Sequence, residues 1–183
     1  MEIIKLANNI FKEIVFNETP FSLALKNEWK YKNVEISDRS LITALVGCSL
    51  RHYYLFENGL KKYCENPSED LTSFVFIALS NSLYLKRLDQ KDIEKHVYKV
   101  LNDADFDIYK KIVSETTESA QLLPEGINVN SLEYLSYRYN TPLWLIKMWN
   151  KHYGLNVVYK LLKNNNSPLS IFLNYVRRNH KVL

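Results

Sequence analysis

The feature that most constrains the fold is a stretch at residues 71–88 that is apolar on almost every side of a helix. Its large apolar residues are Phe74, Val75, Phe76, Ile77, Leu79, Leu83 and Leu85. A helix of this kind is stable in water only where neighbouring helices cover it on all sides. The sequence therefore predicts an all-α bundle with this segment at its centre.

Amphipathic helices are predicted on both sides of this segment. Residues 3–14 show the apolar spacing of a helix face, and residues 104–118 show it more weakly. Ser37 and Ser68 are candidate N-caps, and Asp89 can start a further helix. We expect the helix that follows Ser37 to break or bend near Gly47 or Gly59.

The clearest turn in the chain is Leu123-Pro124-Glu125-Gly126, and it predicts a boundary between residues 1–123 and 124–183. Short helices are predicted beyond it, followed by a strand at 169–176 in which apolar residues alternate. A lone strand leaves backbone hydrogen bonds without partners. We therefore expect either that the chain was cut from a longer protein or that the strand pairs with another chain, and we favour the first.

Charge is distributed unevenly along the chain. The 24 basic and 20 acidic residues leave residues 1–133 with more acids than bases, whereas eight basic and no acidic residues follow Glu133. Such asymmetry indicates a polyanionic partner for the basic part. The alternative is a solvated face of a small domain, and charge alone does not choose between them.

Several classes of protein are disfavoured by composition. Two cysteines, Cys48 and Cys64, are too few for a disulfide framework and lack the spacing of a metal site. The four histidines form no pair at metal-ligand spacing. No apolar run reaches the roughly 20 residues of a membrane helix, and the N-terminus does not resemble a signal peptide. We expect a cytoplasmic protein with neither membrane nor metal partners.

Two segments of the first part resemble NusB-type domains. Residues 38–51 begin with the acidic-basic pair Asp38-Arg39 and end in Ser49-Leu50-Arg51, like the family's helix with a Gly-x-Leu-Arg-type ending. Leu83-Tyr84-Leu85-Lys86-Arg87-Leu88 is similar to the family's Leu-Tyr-x-x-Arg-Ile segment.

A second resemblance lies after the predicted boundary. Residues 139–149 contain Thr141-Pro142-Leu143-Trp144-Leu145, and Tyr153-Gly154, Asn164-Asn165-Asn166 and the predicted strand follow. This order resembles the linker of bacterial rRNA cytosine-C5 methyltransferases, where a Pro-x-Trp-Leu helix and a Tyr-Gly turn lead to an Asn-Asn loop and the next domain's first strand. NusB itself lacks this extension.

Together the resemblances imply a NusB-like helical RNA-binding domain, a short basic helical extension and one terminal strand. In that family the module positions rRNA for S-adenosylmethionine-dependent methylation by a following domain. The present sequence has no glycine-rich cofactor turn and no Pro-Cys or Thr-Cys motif, so we expect neither a catalytic site nor a cofactor in this chain. It also departs from the family at residues 89–92, at residues 114–118 and at Phe172.

The candidate RNA-binding residues come from three places. Arg51, Lys86 and Arg87 are implied by matching family positions. Lys147 and Lys151 are four residues apart and share a helix face, and Arg177 and Arg178 follow the predicted strand. Trp144 and Trp149 are assigned to packing.

Two other functions fit the sequence. One is a NusB-like antitermination factor that binds a leader RNA together with a ribosomal protein. The other is a protein–protein scaffold on which the basic face only improves solubility. The Pro-x-Trp-Leu linker and the strand favour the rRNA module over the antitermination factor.

Overall fold

The structure is a computed structural model that describes residues 2–31 and 34–165. This part of the chain is helical and contains no strand, which confirms the all-α class. The predicted strand at 169–176 lies outside the described residues. The helices are α1 (Glu2–Val15), α2 (Phe21–Tyr31), α3 (Ile36–Arg51), α4 (Tyr53–Lys61), α5 (Glu69–Leu79), α6 (Gln90–Val97), α7 (Asp103–Glu115), α8 (Leu132–Tyr139), α9 (Leu143–Tyr153) and α10 (Leu155–Asn165). A π-helical segment at Ser80–Leu85 and a 3₁₀ turn at Ser119–Leu122 complete the list.

The chain divides into two compact units, Met1–Asn140 and Thr141–Leu183. The division falls after α8, whereas the sequence predicts a boundary after residue 123. The 3₁₀ turn and α8 both pack against α4, which draws these residues into the first unit. Asn58 Nδ2 donates to the carbonyl of Leu122, 2.6 Å away, and Lys62 Nζ donates to the carbonyls of Gln121 and Leu123 at 2.8 and 2.6 Å.

Helix α5 occupies the core of the first unit, as the sequence predicts. Every residue from 71 to 79 is buried, and α5 packs against α1, α3, α4 and α7. Three aromatic rings surround Phe76 at centroid distances of 5.4 to 5.5 Å: Phe11, Tyr53 and Phe56. Burying a side chain of this size stabilises the fold by about 1.5–3 kcal/mol relative to exposing it.

Polar caps fix where the core helices begin. The hydroxyl of Ser68 accepts from the backbone N–H of Leu71 at 3.1 Å, and Asp89 accepts from the N–H of Lys91 at 2.9 Å. Both predicted starts are confirmed. The predicted cap at Ser37 is wrong, because α3 begins at Ile36, two residues before the start that a cap at Ser37 would give, and Glu35 precedes it without a side-chain cap.

The break between α3 and α4 lies at His52 and at neither predicted glycine. Asn140 bridges this break from the end of α8. Its Nδ2 donates to the carbonyl of Leu50 at 2.8 Å, and its Oδ1 accepts from the N–H of Tyr54 at 2.9 Å. The bridge satisfies backbone groups that a helix end leaves without partners.

Asn81 closes the end of the π-helical segment. Its Oδ1 accepts from the N–H groups of Arg87 and Leu88 at 3.1 and 3.0 Å, and its Nδ2 donates to the carbonyl of Leu88 at 2.9 Å. Lys86 takes a left-handed conformation with φ of 51° to make this turn. The turn leaves Lys86 and Arg87 exposed at the end of the segment.

The described part of the second unit is the helical pair α9 and α10, which pack against each other. Gly154 separates them with φ of 76°, a conformation that favours glycine. Ile146, Val158 and Leu162 are the buried apolar residues of the pair.

No helix in the described ranges has both the length and the apolar character needed to cross a membrane.

Candidate nucleic-acid interface

One face of α9 combines an aromatic ring with two cationic side chains. Trp144, Lys147, Met148 and Lys151 follow the spacing i, i+3, i+4, i+7, so they lie on one side of the helix. All four are exposed, and the exposed fraction of Trp144 reaches 66%. We call these four residues the α9 face.

The assignment of Trp144 to packing is wrong. Among its helix neighbours Ile146 is buried and Trp149 is half-buried, whereas Trp144 lies on the side of the lysines. The apolar character of tryptophan alone predicts a core position and does not predict this exposed one. The three-residue spacing from Trp144 to Lys147 was the signal in the sequence that could have placed it.

The α9 face belongs to a segment that contains no acidic residue. Residues 141–165 include four lysines, Lys147, Lys151, Lys160 and Lys163, and neither Asp nor Glu. Lys151 and Lys160 are also exposed, on α9 and α10 respectively. The described part of the second unit therefore carries a positive charge that no carboxylate of its own offsets.

The other described candidates, Arg51, Lys86 and Arg87, are exposed residues of the first unit. Two contacts bring their segments together. The hydroxyls of Ser49 and Ser80 are hydrogen-bonded at 2.9 Å, and the rings of His52 and Tyr84 stack at 4.1 Å.

Arg51 therefore lies one residue from the stacked pair, and Lys86 lies two residues from it on the other segment. The end of α3 and the π-helical segment are therefore adjacent, although they are far apart in sequence. Their part in RNA binding stays a prediction.

Arg177 and Arg178 lie outside the described residues, as do Phe172 and Tyr175. Within the described ranges no group of three or more His, Cys, Asp or Glu side chains is placed to hold a metal ion.

Comparison with protein-family models, with curated proteins and with solved structures finds no match to this chain. The resemblance to NusB-like methyltransferase domains therefore stays a prediction.

Proposed function

We propose that this protein is an RNA-binding module that uses the α9 face to bind an unpaired stretch of RNA. The observation that carries the proposal is the placement of exposed Trp144 on the same helix side as Lys147 and Lys151. Proteins that bind single-stranded nucleic acid combine these two elements, an aromatic ring on which a base stacks and cationic groups that follow the backbone.

The spacing of Trp144, Lys147 and Lys151 on α9 suits one ring that stacks on a base and two cations that bind phosphates. Lys147 lies about 4.5 Å along the helix axis from Trp144, and Lys151 lies about 6 Å further on. Lysine presents its charge on a flexible four-carbon chain. A base stacked on the indole ring of Trp144 would therefore have neighbouring phosphates within reach of both ammonium groups.

Binding of this kind carries little sequence information, because phosphates and base faces are common to all RNA. The resemblance of residues 139–174 to the methyltransferase linker supports rRNA as the partner. In this proposal the module positions rRNA for cytosine methylation by a methyltransferase domain, on the same polypeptide or on a separate one. The cofactor S-adenosylmethionine would belong to that domain.

The test is the affinity of the whole chain for labelled small-subunit rRNA fragments, measured by fluorescence anisotropy at low salt. The Lys147→Glu/Lys151→Glu variant should lose at least roughly tenfold in affinity. The matched control is Lys91→Glu/Lys110→Glu, which changes the net charge equally at two exposed lysines in the first unit. It should bind nearly as tightly as the unmodified chain.

Two results would contradict the proposal. Equal losses in the two double variants would assign binding to overall charge and not to the α9 face. Absence of binding by the unmodified chain at low salt would rule out RNA binding by this protein.

A second candidate is a protein–protein scaffold, favoured by the exposed apolar side chains of Trp144 and Met148. Exposed aromatic residues are also common in protein interfaces. The two functions differ in their response to charge reversal. A scaffold variant with Lys147→Glu/Lys151→Glu would keep its protein partner, whereas the RNA-binding module would lose its RNA.

A further inference from the structure

The first unit contains a cavity of about 350 Å³. Aromatic rings, apolar side chains and one guanidinium line it: His52, Leu55, Tyr84, Leu123, Tyr134 and Arg138. The volume is within the range of small-molecule sites, which combine an apolar lining with a few polar groups.

One wall of the cavity is a flat, uncharged pair of rings. His52 lies on Tyr84 with 4.1 Å between centroids and 5° between planes, and Phe56 packs on His52 at 5.8 Å. Burial lowers the pKa of His52 to about 4, so the imidazole is neutral at physiological pH. Tyr84 is still 39% exposed although His52 covers one of its faces. The pair therefore offers an aromatic surface on which a planar ring can stack.

The lining of the same cavity includes a cation, Arg138. Arg138 Nη1 donates to the hydroxyl oxygen of Tyr134 at 3.0 Å, and the guanidinium lies 6.0 Å from the ring of Tyr134 and 5.8 Å from that of Tyr139. The hydrogen bond to Tyr134 is the main reason that the pKa of Arg138 is raised.

Arg138 has no carboxylate partner among the described residues. A guanidinium has five N–H donors in a planar fork that matches the oxygens of a phosphate. Two tyrosines thus orient this fork while its charge stays available to an anion.

We propose that this cavity binds one unpaired nucleotide of the RNA, with the base against Tyr84 and the phosphate at Arg138. A stacking surface and an oriented phosphate donor in the lining of one cavity fit the two parts of a nucleotide. Leu55 and Leu123 supply apolar contact for the edge of the base. This inference rests on the proposed function, because it takes RNA as the source of the nucleotide.

The experiment compares the affinity of the whole chain for a short single-stranded oligoribonucleotide and for free nucleoside monophosphates. The variants are Arg138→Gln and Tyr84→Leu, and Lys110→Gln is the control for loss of one exposed charge. Each cavity variant should lose roughly tenfold or more in affinity for the oligoribonucleotide, and the control should lose little. Circular dichroism checks that Tyr84→Leu is folded, and Arg138→Gln tests the same cavity at an exposed position.

The outcomes separate this inference from the proposed function. Unchanged RNA affinity in Arg138→Gln and in folded Tyr84→Leu would overturn the nucleotide cavity, while a loss in Lys147→Glu/Lys151→Glu would leave the α9 proposal standing. The reverse pattern would support the cavity and overturn the α9 proposal. Binding of a free monophosphate that Arg138→Gln abolishes, with unchanged RNA affinity, would overturn RNA as the source of the nucleotide.

Discussion

The imidazole of His52 lies parallel to the phenol ring of Tyr84, 4.1 Å away, and so joins the end of α3 to the π-helical segment. Burial of the ring, together with the nearby charge of Arg51, lowers the pKa of His52 and favours the neutral imidazole in this contact. The pH dependence of stability follows from this.

Acid should destabilise the protein through His52. Its pKa is about 4 in the folded chain and about 6.5 in the unfolded chain, so the unfolded state binds more protons between these values. The stabilisation is complete above about pH 6.5 and is lost as the pH falls towards about 4.

The measurement is urea unfolding at about pH 7 and about pH 4.5 for the unmodified chain and for His52→Phe. Between these two pH values the free energy of unfolding of the unmodified chain should fall by about 1–2 kcal/mol more than that of the variant. This value is discounted for the partial exposure of the ring. An equal loss in both proteins would show that His52 is not the group responsible.

Two helical glycines should respond in opposite directions to alanine. A Cβ at Gly59 in α4 would collide with the side chain of Leu122, which is buried in the 3₁₀ turn, whereas a Cβ at Gly47 in α3 would meet nothing within 4 Å. Gly59→Ala should therefore lower the free energy of unfolding by about 1–3 kcal/mol. Gly47→Ala should raise it by about 0.5–1 kcal/mol, because alanine favours a helix interior. Chemical denaturation measures both, and a stabilising Gly59→Ala would contradict the packing of α4 on the 3₁₀ turn.

Asn81 should be among the most sensitive polar positions. Asn81→Ala removes three hydrogen bonds to the turn at Arg87 and Leu88 and should cost about 2–4 kcal/mol. Asn81→Asp keeps the acceptor for the two N–H groups but loses the donor to the Leu88 carbonyl, so it should lie between alanine and asparagine. Thermal or urea unfolding ranks the stabilities of Asn81→Ala, Asn81→Asp and the unmodified chain. A cost for alanine no larger than that of Ser82→Ala, which removes one 3.4 Å hydrogen bond, would rule out this role.

Trp144 should contribute to RNA affinity through its ring. Trp144→Ala should weaken binding of a single-stranded RNA by about 1–3 kcal/mol, and Trp144→Phe should retain much of the affinity because a phenyl ring still stacks. Since the indole is 66% exposed, neither change should lower the stability of the fold by much. Anisotropy titrations at constant salt measure the affinity. Equal affinities for Trp144→Ala and the unmodified chain would exclude base stacking at this position.

The sequence predicts the parts of the fold that depend on local pattern. The central position of α5 follows from apolar residues on every side, and the starts of α5 and α6 follow from Ser68 and Asp89. The break at His52 could not be predicted in this way. It is bridged by Asn140, which lies 90 residues from Leu50 in the chain, and no local pattern indicates such a partner.

The candidate sites likewise contain residues that a local pattern places and residues that only the packed fold brings together. Helical spacing places Lys147 and Lys151 together on α9, and the structure shows both exposed there. The aromatic cavity joins His52, Tyr84 and Tyr134 from three separate segments, so only the packed fold brings them together. The assignment of Trp144 to packing was wrong because it considered the apolar character of the side chain and not its position on the helix.

The salt dependence of RNA binding tests the central claim most directly. For a single-stranded RNA, each phosphate contact contributes about 0.7 to the slope of the logarithm of the binding constant against the logarithm of salt concentration. Removing two contacts with Lys147→Gln/Lys151→Gln should make the slope shallower by about 1.4, while Lys91→Gln/Lys110→Gln should leave it unchanged. A slope that is the same in both double variants as in the unmodified chain would contradict binding of RNA phosphates by the α9 face.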